Sequence, residues 1–465
     1  MTDRPYIIPL TYCDPLDAFA AFAGDPVSAF LDSAADAGGR GRYAYIAADP
    51  YRIIRAAETG DPLGGLEGAL KSVRIRNDPR LPPFQGGAAG FFGYELGHRL
   101  EQLPEPKGGL DIPDIALGLF DTVAAFDTWA GKAWVIAHDV DDATPGAARM
   151  PKAERAQAMA RRIAEVAPLG PVDWTAIGDW MADLSRAEYE AMVARVIEYI
   201  HAGDIFQANV TQRLLADLPG GLSPFMLYRR LRALSPAPFG AYLGIGDTAI
   251  LSASPERFLS LDAEGRVVTR PIKGTRPRGL TPDADEALAR ELMDSEKDQA
   301  ENLMIVDLMR NDLSRVCRLG SVDVTELAGL ESFANVHHLV SEVRGTLFPN
   351  LGPVDLLRAT FPGGSITGAP KIRAMEIINE LEPVRRGPYC GSVAWIGFDG
   401  AMDSSIVIRT LVVKDGRVAA QAGGGIVADS QPSAEFDETM DKAWPLLQSL
   451  DPGDLARQQA RKQAR

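Results

Sequence analysis

The stretch SSIVIRTLVVKDGRVAAQAGGG, residues 404–425, carries the clearest fold signal in the chain. Two β-type runs flank Asp415-Gly416, a dipeptide that favours two-residue hairpin turns, so the stretch predicts a β-hairpin. Counting back from the turn places Arg409 opposite Ala422, beside the glycine triplet 423–425. A guanidinium next to backbone N–H groups that no side chain obstructs could hold a carboxylate. The glycines could instead serve only close sheet packing, and the hairpin alone leaves both roles open.

Strand and helix signals follow one another irregularly in the rest of the chain. Residues 1 to about 140 look mainly β, and further strand-like runs occur at 241–246, 248–254, 267–272 and 391–398. Because strands and helices do not alternate regularly, the sequence predicts an α+β architecture rather than a Rossmann or barrel fold.

Three helices have recognisable starts. The S-x-x-E pattern from Ser185 to Glu188 predicts a capping box ahead of a periodic apolar run that stops at Gly203. A second helix is predicted from Ser295 and a third after Pro370.

We divide the chain into four parts. They are an N-terminal β-rich region (1–140), a connecting segment (141–182), a region that contains all the candidate site residues discussed below (183–450) and a polar tail (451–465). The connecting segment is rich in Ala, Arg and Pro and contains one predicted helix near 151–166.

The composition of this 465-residue chain excludes several classes of protein. A formal net charge of −15 argues against nucleic-acid binding, which needs a basic surface. The three cysteines, Cys13, Cys317 and Cys390, lack metal-type spacing and indicate no disulfide framework. The N-terminus has no signal-peptide pattern, and acidic residues interrupt the apolar stretch 115–130, so we expect a cytoplasmic protein with no membrane span.

Two acidic pairs at i,i+3 spacing are candidate metal ligands. Asp298 with Glu301, and Glu435 with Glu438, lie in helix-type segments, so each pair should share one helix face. Mg²⁺ accepts one or two such carboxylates together with water and substrate oxygens. Ordinary solvated helix faces are the alternative, and spacing alone does not choose between them.

Lys273 lies in RPIKGTRPRG, where a β-type run meets a Gly/Pro loop. Its neighbours Arg270, Arg276 and Arg278 could lower its pKa enough for the amine to act as a nucleophile. An exposed turn residue is the plainer alternative.

The pair His337-His338 is a further candidate, because histidine serves acid/base or orienting roles near neutral pH. At least one of the two is expected to be a hydrogen-bonded structural residue. No Cys/His spacing typical of zinc is present. A Gly-rich loop at 361–370 leads into a helix whose N-terminus could attract an anionic group.

Ten segments, in order along nearly the whole chain, carry a family resemblance. They are GDIFQANVTQR, SASPERF, RPIKGTRPRG, AENLMIVDLMRNDLSRV, HHLVSEVRG, FPGGSITGAPKIRAMEII, YCGSVAWIGFDG, IVIRTL, GGGIVADS and EFDETMDKA. Together they closely resemble the chorismate-utilising enzymes, a family of anthranilate, aminodeoxychorismate, isochorismate and salicylate synthases. The resemblance implies a large intertwined two-region α+β fold, with sheets packed face to face and helices outside.

The resemblance also implies roles for individual residues. Glu301 and Glu438 match the direct Mg²⁺ ligands, and Asp298 and Glu435 match acidic positions in the outer coordination shell, although relatives often have Glu where this chain has Asp298. The substrate-carboxylate contacts match Thr367, Tyr389, Arg409, Gly423 and Gly425. Glu256 matches the acid that protonates the departing 4-hydroxyl of chorismate, and His338 the histidine close to the ring.

Two positions select a branch of the family. Water-using relatives carry a Lys in the segment equivalent to FQANV, where this chain has Gln207 and Ala208. Anthranilate synthases usually have Ala at the position of Lys273, whereas aminodeoxychorismate synthases have Lys. The resemblance therefore implies amination at C4 through a Lys273 adduct at C2, giving 4-amino-4-deoxychorismate on the route to p-aminobenzoate and folate. Anthranilate formation, and a catalytically idle binding homologue, are the competing hypotheses.

The nitrogen source should be external. No nucleophile-elbow Cys of a glutaminase is visible in the sequence. We therefore expect a separate glutamine amidotransferase subunit to supply ammonia.

Overall fold

The computed structural model describes residues 4–35, 41–56, 60–73, 75, 77–140, 149–175, 177–332, 336–451 and 453. The strands of the N-terminal third are β1 (Tyr6–Leu10), β2 (Val27–Asp32), β3 (Tyr43–Ala48), β4 (Arg52–Arg55), β5 (Gly87–Phe92), β6 (Ile115–Phe120), β7 (Thr122–Asp127) and β8 (Lys132–Ala137). The later strands are β9 (Met181–Ala182), β10 (Gln207–Asp217), β11 (Phe239–Ile245), β12 (Thr248–Ser254), β13 (Arg257–Leu261), β14 (Arg266–Thr269), β15 (Ile272–Pro277), β16 (Asp323–Ser332), β17 (Val336–Thr346), β18 (Gly368–Ala369), β19 (Ser392–Gly397), β20 (Met402–Ile406), β21 (Thr410–Lys414) and β22 (Arg417–Ile426). The helices are α1 (Pro15–Phe19), α2 (Gly64–Ser72), α3 (Leu96–Leu100), α4 (Lys152–Ala164), α5 (Arg186–His201), α6 (Pro224–Leu234), α7 (Pro282–Asp294), α8 (Glu296–Ser314), α9 (Pro353–Thr360), α10 (Lys371–Leu381) and α11 (Pro432–Leu450), with a short 3-10 turn at Gly364–Ile366.

Two large antiparallel sheets organise these elements. The first has the order β1-β8-β7-β3-β2-β11-β12-β21-β22-β10-β18, with β9 paired to β10. The second has the order β15-β17-β14-β13-β20-β19-β5-β6-β4, with β16 paired to β17. Each sheet combines early and late parts of the chain, since β2 pairs with β11 and β5 pairs with β19. The predicted intertwined α+β fold is confirmed.

The sheets meet through an apolar layer to which both contribute. Phe91 of β5 and Val393 of β19 come from the second sheet, and Tyr45 of β3 and Ile250 of β12 come from the first. All four residues are buried, so the layer removes both inner sheet faces from water, the main stabilising term for such a packing.

The predicted helix starts are confirmed. Ser185 Oγ accepts from the Glu188 N–H while the Glu188 carboxylate accepts from the Ser185 N–H, so α5 begins with a capping box. Gly203, with φ of +83°, follows the end of α5. Ser295 caps α8, and α10 begins after Pro370.

The hairpin that opened the sequence analysis forms as predicted around its turn. Asp415 and Gly416 have φ of +50° and +73°, which a two-residue hairpin of this type requires, and β21 pairs with β22 on either side. The pairing of Arg409 with Ala422 does not occur. Residues 407–409 instead cross from β20 in the second sheet to β21 in the first, and Arg409 itself has φ of +52°.

Within the ranges given above, no helix combines the length and apolarity that crossing a membrane requires. Helix α4 of the connecting segment packs on β1 and β8. Of the polar tail, only residues 451 and 453 are among those described, and the division of the chain into four parts stays a prediction.

Candidate active site

Strands β10 and β22 form the floor of the candidate site. Gly423 pairs with Thr211, and Gly425 pairs with Asn209. A Cβ on Gly423 would lie 2.1 Å from the Val210 carbonyl oxygen, so backbone alone fits there. The glycines therefore serve close sheet packing, and the same packing brings the floor near the reactive side chains.

Two side chains converge over Gly425. A Cβ at this position would lie 2.0 Å from Gln207 Nε2 and 3.5 Å from Lys273 Nζ. Gln207 is 2% exposed, and within the described part of the chain its Oε1 has no hydrogen-bond partner. A buried amide oxygen without a partner is rare in folded proteins, so Gln207 keeps an unused acceptor in the same part of the site as Lys273.

The four predicted metal-site acids lie on two helices, as expected. Asp298 and Glu301 are on α8, and Glu435 and Glu438 are on α11. A Cβ on Gly424 would lie 3.2 Å from Glu435 Oε2 and 3.9 Å from Glu438 Oε1, which places α11 directly above the glycine triplet.

The acids differ in how the protein holds them. Asp298 pairs with Arg276 at 3.2 Å, and Glu435 accepts a 2.7 Å hydrogen bond from Ser430. Glu301 and Glu438 face ammonium groups instead, those of Lys297 at 4.0 Å and Lys442 at 2.7 Å. The two carboxylates that the resemblance implies as direct ligands are thus the two that form ion pairs with lysines.

Electrostatic coupling joins Glu301 to Glu438. Burial raises the pKa of Glu301, and the negative charges of Asp298 and Glu438 raise it further. Burial alone would raise the pKa of Glu438 as well, but Lys442 lowers it below its ordinary value. Among the described residues, no group of three or more His, Cys, Asp and Glu side chains could hold a metal ion by itself.

Lys273 lies in β15, at a bulge in its pairing with β17. Burial lowers the pKa of its amine, and the positive charge of Lys442 lowers this pKa further. The carboxylates of Glu301, Glu256 and Glu438 act in the opposite direction. A desolvated amine with a lowered pKa has the property that a lysine nucleophile needs.

Each of the three arginines around Lys273 in the sequence pairs with carboxylates. Arg270 pairs with Glu326, Glu331 and Glu342. Arg276 pairs with Glu291 and Asp298, and Arg278 pairs with Asp285. The effects that dominate the pKa of Lys273 are burial, Glu301, Lys442, Glu256 and Glu438, and the charges of the three arginines are balanced by carboxylates on neighbouring elements.

Glu256 follows β12 and is 5% exposed. Burial raises the pKa of its carboxyl group to about 7, against the opposing effects of a Ser365 hydrogen bond and the nearby charge of Lys273. A large fraction of Glu256 is therefore protonated at neutral pH, as a general acid requires.

The two histidines have different surroundings. His337 is buried, with Nε2 2.9 Å from Asp285 Oδ1 and Nδ1 2.7 Å from Ser332 Oγ. Both ring nitrogens are thus engaged, as expected for one of the pair. His338 Nδ1 lies 2.9 Å from Thr275 Oγ1, two residues along β15 from Lys273.

Three predicted substrate contacts lie around the floor. Arg409 donates to the Lys442 carbonyl at 2.6 Å, and its charge interacts with Tyr389 and Glu438. Tyr389 is buried. Thr367 is also buried, but its hydroxyl donates to the Gly363 carbonyl at 3.0 Å, so its contact with β10 is made by its carbonyl, which accepts from Asn209 N at 2.7 Å.

Lys442 and Ser365 belong to the site, and sequence reasoning missed both. Lys442 donates to the Gly423 carbonyl at 3.1 Å as well as pairing with Glu438. Its i,i+4 spacing from Glu438 was the available signal. Ser365 lies in the 3-10 turn Gly364–Ile366 that follows α9, and only the tertiary fold brings it to Glu256.

Comparison with known proteins identifies the class. The family described as chorismate binding enzyme matches residues 29–448. The chain belongs to this family, and the resemblance inferred from the ten segments is confirmed.

Individual relatives come from two activities. Aminodeoxychorismate synthase component 1 of Escherichia coli (strain K12) is 45% identical over 400 residues, which cover 85% of this chain and 84% of that protein. Anthranilate synthase component 1 of Thermus thermophilus is 40% identical over 452 residues, which cover 94% and 95%. The crystal structure of anthranilate synthase component I from Streptococcus pneumoniae TIGR4 superposes with a TM-score of 0.76 at 33% identity, covering 86% of this chain and 91% of that one.

The raised pKa of Glu256 gives a test that needs no substrate. An acid whose pKa rises from 4.5 to about 7 on folding adds stability below pH 4.5 that is lost as the pH rises through 7. From pH 5 to 8 we expect the wild type to lose about 2 to 3 kcal/mol of unfolding free energy relative to Glu256→Gln. Urea unfolding of both proteins at the two pH values measures the difference.

The matched control is Glu286→Gln on α7, which changes an exposed carboxylate paired with Arg290. Its stability should follow that of the wild type across the same range. Parallel pH profiles for wild type and Glu256→Gln would show that the carboxyl group is not held in its protonated form.

Proposed function

We propose that this chain converts chorismate and ammonia into 4-amino-4-deoxychorismate and water. The observation that carries the proposal is the position of Lys273, whose desolvated amine meets Gln207 over Gly425 and interacts electrostatically with Glu256. The similarity to aminodeoxychorismate synthase component 1 of Escherichia coli supports the same product.

Binding would use the floor and the residues around it. Arg409, Tyr389 and the backbone N–H groups near Gly423 and Gly425 would hold a substrate carboxylate, with Thr367 supporting β10 from behind. His338 would lie near the ring, on the same sheet as Lys273. The chorismate ring would then have C2 facing the amine and its 4-hydroxyl near Glu256.

Two displacements account for amination at C4. In the first, Lys273 Nζ bonds to C2, the ring double bonds shift, and the C4–O bond breaks as Glu256 gives its proton to the departing hydroxyl, which leaves as water. In the second, ammonia bonds to C4, the double bonds shift back, and the C2–N bond breaks. One proton passes from the new ammonium group to the site, so Lys273 and Glu256 return to their starting states.

Gln207 suits ammonia better than a lysine at this position would. Its unpartnered Oε1 can accept an N–H from ammonia, whereas an ammonium side chain would repel protonated ammonia and offer no acceptor. This supports a nitrogen nucleophile.

Mg²⁺ is the cofactor of this proposal. Glu301 and Glu438 would hold the ion, with Asp298 and Glu435 in the outer coordination shell. The residues fit, because Glu301 and Glu438 are close enough for the charge of one to act on the other, and Mg²⁺ accepts one or two such carboxylates and completes its coordination with water and substrate oxygens. When bound, the ion would neutralise the ring carboxylate of chorismate.

The name component 1, which the relatives carry, supports a second component here. We propose that a separate glutamine amidotransferase subunit supplies ammonia to this chain.

Anthranilate formation is the second candidate function, and the 40% identity to the Thermus thermophilus protein favours it. That product requires ammonia to attack C2 directly. In the proposed pose, Lys273 occupies the face of C2 that ammonia would need.

Product analysis tests the main proposal. Purified chain, chorismate, Mg²⁺ and ammonium at alkaline pH should yield 4-amino-4-deoxychorismate by liquid chromatography and mass spectrometry. Glutamine should replace ammonium only after an amidotransferase subunit is added. Anthranilate or isochorismate as the main product would contradict the proposal.

The metal assignment predicts that Glu301→Gln and Glu438→Gln each lower activity by about 100-fold or more, roughly 3 kcal/mol of transition-state stabilisation. Both should unfold with wild-type cooperativity. Calorimetry with Mg²⁺ and chorismate should show loss of the magnesium dependence of binding. Glu198→Gln, on the exposed face of α5, should change neither property, and magnesium-independent turnover by wild type would refute the assignment.

The lysine adduct predicts that Lys273→Ala forms 4-amino-4-deoxychorismate about 100-fold more slowly or worse, because the first displacement is lost. Mass spectrometry of wild type quenched with chorismate and no ammonia should find a modified peptide containing Lys273. The pH profile of activity should be bell-shaped: its rising limb reports loss of the proton from the amine, below the range of an ordinary lysine, and its falling limb reports ionisation of Glu256.

The control is Lys414→Ala, which removes a lysine that pairs with Asp247 beside the hairpin turn. This variant should keep wild-type rate and product. If Lys273→Ala did the same and no adduct formed, direct amination would be the better mechanism.

A further inference from the structure

One buried ion pair lies behind the substrate pocket, outside every role given so far. Arg386 and Glu382 are 1% and 5% exposed at their side chains. The guanidinium donates through Nε to Glu382 Oε2 at 2.9 Å and through Nη2 to Oε1 at 2.6 Å. This bidentate arrangement fixes the plane of the guanidinium.

The remaining guanidinium donors reach two separate segments of the pocket wall. Nη1 donates to the Ile366 carbonyl at 3.0 Å, and Nη2 donates to the Asn209 carbonyl. Ile366 immediately precedes Thr367, and Asn209 is the residue of β10 that pairs with Gly425. One planar group therefore sets the distance between the Thr367 segment and the floor.

Glu382 holds the same strand at a second point. Its Oε1 accepts from both the N–H and the hydroxyl of Thr211, at 2.9 and 3.0 Å. Thr211 pairs with Gly423. The ion pair thus contacts β10 opposite both glycines that are proposed to receive the substrate carboxylate.

Backbone hydrogen bonds at Arg386 fix a third segment of the pocket wall, the one that carries Tyr389. The N–H groups of Arg386 and Gly387 donate to the two carboxylate oxygens of the buried Glu95, at 2.6 and 2.9 Å. Tyr389 follows two residues later, and the ring of Tyr94 lies 4.5 Å from the guanidinium carbon. The segments that carry Thr367, Tyr389 and the glycine floor are therefore all fixed at one place.

We propose that Arg386, held by Glu382, is a positioning residue that sets the shape of the substrate-carboxylate pocket without touching substrate. This inference rests on the proposed function, in which chorismate binds against Arg409, Tyr389 and the floor. A buried ion pair is weak evidence for a stability role, because desolvation offsets most of its attraction. The guanidinium of Arg386 instead makes four hydrogen bonds, two to the Glu382 carboxylate and two to carbonyls on separate segments of the pocket wall. Such bonds fix the distance between those segments, and only a planar guanidinium can make all four at once.

The test compares Arg386→Lys with Arg230→Lys. Arg230, on α6, is also fully buried, and it donates to the Asp173 and Ser449 carbonyls, neither of which belongs to the proposed substrate pocket. Both substitutions keep the charge and lose the fork, so both should lower thermal stability. Only Arg386→Lys should raise the KM for chorismate, by about tenfold or more, with kcat within about threefold of wild type.

A second variant covers the case in which Arg386→Lys does not fold. Thr211→Val removes one hydroxyl donor to Glu382 and leaves the ion pair intact, and it should raise the KM about two- to fivefold. An unchanged KM in Thr211→Val, or equal KM values in Arg386→Lys and Arg230→Lys, would overturn the inference.

The same experiment separates this inference from the proposed function. Wild-type product identity tests the function, since an anthranilate product would refute it. The KM comparison among variants tests the positioning role whichever amine is formed.

Discussion

The backbone-to-backbone approach of β22 to β10 at the glycine triplet is the constraint on which the site depends. A side chain at Gly423 would meet the Val210 carbonyl at 2.1 Å, so this part of the sheet exists only because residue 423 has none. The bare floor lets α11 bring Glu435 and Glu438 close from one side and lets Gln207 and Lys273 reach Gly425 from another. A larger residue would separate the groups whose charges act on one another.

Mutual charge effects follow from that proximity. The amine of Lys273 experiences Glu301, Glu256, Glu438 and Lys442 together, in a region where burial already disfavours charge. Each titration in such a group depends on the others, so the site behaves as one coupled unit rather than as independent acids and bases. A cation or an anionic substrate that enters will therefore change the protonation of several groups at once.

Local patterns in the sequence predicted local structure well, and long-range contacts account for the rest. The Asp415-Gly416 turn, the Ser185 capping box and the placement of both acidic pairs on helices depend on residues a few positions apart, and all are confirmed. Two features were not predicted: the crossing between sheets at residues 407–409 and the carboxylate partners of Arg270. Both depend on contacts between elements that are far apart in the sequence, and hydrophobic periodicity carries no information about such contacts. The sequence did not predict that Lys442 belongs to the site, because its contact with the Gly423 carbonyl joins helix α11 to strand β22 and depends on the tertiary fold. The roles of the site residues stay predictions.

The interleaving of early and late strands has a consequence for how the chain is made. One edge of β5 stays unpaired until β19 has been synthesised. Strand β19 lies roughly 300 residues further along the chain, which corresponds to roughly 15 to 60 seconds at typical synthesis rates. During that interval an apolar strand edge is open to pairing with other nascent chains. The acids of α11 emerge later still, so the site cannot assemble until almost the whole chain has been synthesised.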